Sequence, residues 1–144
     1  MLRFLVVANL TLGGERLAAA VRERLAGGPC SFYVVVPRTP PRGHALWVDE
    51  EATALAEQRL KQALTRFRQL GADVDGEVGD RDPVQAIGDA LRGNRGEHFD
   101  EIIVSTLPPG PSRWLRMDLP HRVEALYHLP VTHVVGKREE ARAS

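Results

Sequence analysis

"FLVVANLTLGGERLAAAV", residues 4–21, decides how the rest of the chain is read. Phe4 to Ala8 is an unbroken apolar run, the mark of a strand covered on both faces. After the turn-like "NLTLGG", Leu17, Val21 and Leu25 recur with Ala18 beside them, which predicts a helix with one buried stripe, stopped by Gly27-Gly28. A fully covered strand running into an amphipathic helix is half of a βαβ unit, so the next strand is expected parallel to the first.

The same unit recurs along the chain. "SFYVVVP" (31–37) reads as the second strand and "RTPPRGHALWV" (38–48) as a loop, since Pro40-Pro41 and Gly43 forbid regular structure. Asp49 can cap a second helix whose seam is Ala56, Leu60, Ala63, Phe67 and Leu70, ended by Gly71. "ADVDGEV" (72–78) alternates weakly and is polar on one side, as an edge strand would be. In "GDRDPVQAIGDAL" Asp82 is an N-cap with Pro83 at the first helical position, and Val84, Ile87 and Leu91 share a face. "EIIVS" (101–105) is a fourth strand, "LPHRVEALYHL" (119–129) a fourth helix that Asp118 can cap, and "VTHVV" (131–135) a fifth strand after Pro130. Strict alternation of strand and helix predicts a doubly wound, open five-stranded parallel α/β sheet, Rossmann-like, with helices on both faces.

The 144 residues suit one domain, expected over 1–137, with a polar tail over 138–144. Basic and acidic residues balance at 19 each, so the chain favours neither a nucleic-acid backbone nor an anionic membrane as partner. Cys30 stands alone, which excludes an internal disulfide and fits a reducing compartment. "MLRFLVVANL" is too short and too quickly polar for a signal peptide, and no apolar run is long enough to span a bilayer. A cytoplasmic location is expected.

Three stretches together resemble the universal stress proteins, over nearly the full length from Phe4 to Val135. They are "FLVVANLTLGGERLAAAV", "EVGDRDPVQAI", and "FDEIIVS" running through "SRWL" to "HRVEALYHLPVTHVV". The resemblance implies strand order 3-2-1-4-5, a homodimer paired through strand 5, and a small phosphate-bearing ligand, ATP or AMP, between strands 1 and 4. Open parallel sheets bind ligands outside the carboxyl ends of strands where the order reverses, which is the same place.

The phosphate loop of that family is badly worn in this chain. Its nucleotide-binding members carry Gly, two residues, Gly, nine residues, then Gly with Ser or Thr. Aligned through "IIV" and "SR", the first Gly falls on Ser105 and the closing pair on Met117-Asp118, while Pro108-Pro109 occupy the region of the second Gly. Prolines offer no N–H to phosphate, and an ionised Asp118 would repel it. The family's acidic residue after the first strand becomes Asn9. Donors that remain are Ser105, Thr106, Gly110, Ser112 and Arg113; Asn9, Thr11, Val36 and Asp118 complete the candidate ligand set. Val131, His133, Val134 and Val135 form the candidate dimer edge, with little in "VTHVV" to blunt an open ladder.

Other chemistry finds weak support. "GPSRW" around Ser112 lacks the second glycine of a nucleophile elbow, and His121 with Asp118 reads as a surface pair. The five histidines lack zinc spacing, and Asp73, Asp75, Asp80 and Asp82 lack calcium-loop spacing, so no metal is expected. Trp47 could lid the cleft or pack its own loop. The expectation is a dimeric binding or regulatory domain with a remodelled nucleotide site, not an enzyme and not a strong ATP binder. The alternatives are a stress sensor for an adenine nucleotide or phosphate ligand and, last, a nucleotide hydrolase.

Overall fold

The structure, a computed structural model, describes residues 1–8, 14–38, 49–93, 98–106 and 118–136. In chain order these form β1 (Leu2–Val7), α1 (Glu15–Ala26), β2 (Cys30–Pro37), α2 (Asp49–Gln69) and β3 (Asp73–Gly79). There follow α3 (Pro83–Gly93), β4 (Glu101–Thr106), α4 (Leu119–Tyr127) and β5 (Val131–Val135). The strands form one sheet in the order β3-β2-β1-β4-β5, every neighbouring pair parallel.

β1 lies in the middle of the sheet, paired to β2 and β4, and its residues pack into a core on either side, as its unbroken apolar run requires. Period-two alternation splits the core. Phe4, Val6 and Ile103 pack with Leu17 and Val21 of α1 and Ala56, Ala63 and Phe67 of α2 on one side. Leu5, Val7 and Val104 pack with Ile87 of α3 and Leu119 and Val123 of α4 on the other. The predicted helical seams therefore face the sheet, with helices on both faces.

Local chemistry sets the element ends. Asp82 caps α3 as predicted, its Oδ1 accepting from Val84 N at 3.0 Å. Gly71 ends α2 at φ +97°, where Ala72 N reaches back to Phe67 O at 3.0 Å. Cys30 is buried at the start of β2, and desolvation raises its thiol pKa, which makes it a packing residue.

One expected cap is corrected. Asp118 stands at the N-cap of α4 but with left-handed backbone (φ 51°, ψ 46°) and no side-chain cap bond. An N-cap carboxylate reaches the N2 or N3 amide from an extended backbone; a left-handed residue points it elsewhere. Here it lies 3.3 Å from His121 Nδ1, on the surface.

Among the described residues no helix is long and apolar enough to cross a membrane. The 138–144 tail, Trp47 and Pro40-Pro41 lie outside the described residues.

Candidate functional site

The strand order reverses between β1 and β4, and the connections from these two strands leave toward opposite faces. Their carboxyl ends, Val7 and Thr106, frame the crevice where an open parallel sheet holds a ligand. Of the candidate ligand set, Asn9, Thr11, Gly110, Ser112 and Arg113 lie outside the described residues, as do Pro108, Pro109 and Met117. Val36, Ser105, Thr106 and Asp118 can be placed.

Ser105 and Thr106 are the last residues of β4 and not the first of its loop, and both are buried. As successive strand residues they point to opposite faces. Ser105 pairs with Val134 in register and shares the side of Ile103 and α1. Thr106 shares the side of Val104 and α4, where its Oγ1 lies 2.6 Å from His133 Nε2. The two hydroxyls thus flank the end of β4 and do not converge on one point. Val36 has its side chain wholly in the α1/α2 core, so only its backbone could meet a ligand.

α1 points its N-terminus toward this end of the sheet. Gly14 stands at its cap with extended backbone and no side-chain bond, so the positive end of the helix dipole lies on this side of the sheet. Glu15 already occupies that first turn, held by Arg22 at 2.6 Å and Arg66 at 3.5 Å. Its carboxylate takes part of the stabilisation that a ligand phosphate would draw from the helix end. Asp118, 70% exposed, is well solvated, so its repulsion of an anion is damped.

The candidate edge is where the sequence placed it. β5 is the outermost strand, with Val131, Val134 and Val135 half-buried and His133 exposed. Partial desolvation pushes the His133 imidazole below its ordinary pKa. Sequence reading chose Thr106 for the ligand and His133 for the edge but not their contact, because the β4–β5 register that joins them is set only in the folded sheet. It also missed the cluster of Arg24, Glu101 and Thr132, in which Arg24 Nη2 lies 2.9 Å from Glu101 Oε2. Among the described residues no group of His, Cys, Asp and Glu could hold a metal ion.

No protein-family model matches the sequence, and no curated protein matches it. Solved structures do. A universal stress protein from Archaeoglobus fulgidus superposes with a TM-score of 0.60 at 19% identity, covering 93% of each chain. The universal stress protein from Archaeoglobus fulgidus in complex with dAMP gives 0.59 at 20% identity, over 93% of this chain and 98% of that one. A universal stress protein in complex with cAMP gives 0.59 at 18% identity, over 92% and 96%. At these identities the likeness is one of architecture: the chain has the universal stress protein fold.

Proposed function

We propose that this chain is a homodimeric binding and regulatory domain of universal stress protein type, with a remodelled switch-point site that takes an adenine nucleotide weakly and performs no reaction on it. The observation that carries this reading is the sheet order β3-β2-β1-β4-β5, which sets the carboxyl ends of β1 and β4 side by side where the connections diverge. Two proteins of the same fold have been solved with dAMP and with cAMP, which supports a nucleoside monophosphate as the ligand class.

The residues argue for weak binding. A strand hydroxyl at Ser105 stands where glycine would let backbone N–H groups close on phosphate, and Thr106 beside it already has His133 as its partner. Glu15 sits in the first turn of α1, and the sequence after β4 brings two prolines. A triphosphate, which needs the most donors, suffers most from these losses. The dimer reading is supported by β5, an outer strand that carries valines and a histidine whose pKa burial lowers.

Titration calorimetry with AMP, cAMP and Mg-ATP tests the site. The expected result is a dissociation constant in the range of tens of micromolar or weaker for all three, with ATP no tighter than AMP. A sub-micromolar constant for Mg-ATP, beyond about −8 kcal/mol, would overturn the remodelled-site reading. Release of phosphate from ATP at a rate that scales with protein concentration would overturn the non-catalytic one.

A further inference from the structure

Among the described residues the backbone groups of β5 that lack a partner belong to alternate residues, and two hydrogen bonds show which. Ile102 N donates to Pro130 O at 2.9 Å, and Gly136 N donates to Thr106 O at 2.8 Å, so even-numbered residues turn their backbone toward β4. Alternation along the strand leaves the N–H and C=O groups of Val131, His133 and Val135 facing outward.

A second copy of β5 satisfies all of these at once. Running antiparallel about a two-fold axis through His133, it sets Val131 opposite Val135 of the partner subunit and His133 opposite His133 of the partner subunit. Every outward donor then meets an outward acceptor. An axis through Thr132 would instead carry Val135 past the end of the partner strand. Charge also selects this edge: β3, at the other side of the sheet, carries Asp73, Asp75 and Glu77 and would repel its own copy, whereas β5 is uncharged while His133 is neutral.

Resting on the dimer reading above, we propose that β5 pairs with itself in this one register, with His133 facing its own copy, and that this histidine pair makes assembly depend on pH. In a hydrogen-bonded antiparallel pair the facing Cα atoms lie about 5.5 Å apart and both side chains point to one face. Here that is the α4 face, where each imidazole keeps its own Thr106 at 2.6 Å. Two imidazolium ions so placed repel, and pairing removes water that would screen them.

Among the described residues no ion pair offsets the charge. β4 brings Ile102, Val104 and Thr106 to this face, none of them ionisable at ordinary pH. α4 carries Asp118, His121, Arg122 and Glu124, with His128 at its cap, and among the described residues none forms an ion pair with His133. α1 lies on the opposite face, where Arg24 is engaged by Glu101. The sign follows. Desolvation already lowers the His133 pKa in one chain, and pairing lowers it further. The dimer therefore keeps its full stability above the single chain's own value, which already lies below the ordinary imidazole value of about 6.5, and weakens as pH falls through it, because the separated chains then bind protons more tightly.

Sedimentation equilibrium of the full chain at about pH 8 and about pH 5.5 tests this, with His133→Gln alongside. The glutamine keeps a hydrogen bond to Thr106 and removes the titration. Wild type should be dimeric at the higher pH and dissociate roughly tenfold more readily at the lower, as a shift of about one unit at both histidines together implies. His133→Gln should dimerise equally at both. A monomer at the higher pH would sink the dimer reading itself. A wild-type dimer indifferent to pH, or a His133→Gln dimer that dissociates with the wild-type midpoint, would sink the switch alone. Register is read separately: on oxidation His133→Cys should cross-link two chains faster than Thr132→Cys, and the reverse order would overturn the pairing.

Discussion

Arg24 of α1 and Glu101 at the start of β4 meet at 2.9 Å with their side chains only 15% and 18% exposed. Thr132 of β5 donates its hydroxyl to the same Glu101 oxygen and lies 3.3 Å from Arg24 Nη2, so one carboxylate ties a helix to two strands. Removing either charge strands the other in a mostly buried place. Arg24→Met and Glu101→Gln should each destabilise the fold by about 2 kcal/mol in urea unfolding, and the double variant should cost well under the sum. Strictly additive losses would show the two charges to be energetically independent.

Gly76 tests how tightly the edge strand β3 is held. A Cβ there would overlap the Val34 carbonyl oxygen and stand 2.8 Å from Leu60 Cδ1, so both the ladder to β2 and the α2 seam must shift. Gly76→Ala should cost at least about 2 kcal/mol. Gly93→Ala, with nothing among the described residues within 4 Å of its Cβ, should be neutral or slightly stabilising. Similar midpoints for the two variants would show that β3 yields easily at this position.

Tyr33 makes the fold sensitive to alkali. Burial raises its pKa, reinforced by the hydrogen bond from its hydroxyl to Glu77 at 2.8 Å and by the nearby charges of Glu77 and Asp75. A phenol whose pKa is raised on folding contributes stability that is whole below its unfolded value of about 10 and is lost as pH climbs from there toward the folded value. Wild-type stability should therefore fall between about pH 10 and 12 more steeply than that of Tyr33→Phe. Parallel curves for the two proteins would remove Tyr33 as the cause.

The parts of this fold legible in the sequence are those set by local pattern. The run from Phe4 to Ala8 marked a strand buried on both faces, and Asp82 before Pro83 marked the start of α3; both signals need only neighbouring residues. The contact of Thr106 with His133 needed the β4–β5 register, which depends on the whole sheet and leaves no mark at either position. Ser105 and Thr106 drew attention as adjacent hydroxyls after an apolar run. That proximity misled, because alternation along a strand sends neighbours to opposite faces.

Asp118 shows the same limit at a single residue, and substitution can expose it. Its place before "LPHRV" fits a helix cap, and a true cap would tolerate threonine at little cost, since threonine also caps well. The observed backbone is left-handed, there is no cap bond, and the His121 contact joins side chains 80% and 70% exposed, where an ion pair contributes little. What the position demands is tolerance of positive φ, which asparagine and aspartate have and β-branched residues lack. Asp118→Asn should therefore leave stability within about 0.5 kcal/mol of wild type, while Asp118→Thr should lose about 1–2 kcal/mol. Removing so exposed a charge should also improve phosphate affinity by less than about threefold in either variant, because water and salt already screen it. If Asp118→Thr melts with wild type while Asp118→Ala does not, the carboxylate is a cap after all, and α4 starts in solution from an extended Asp118.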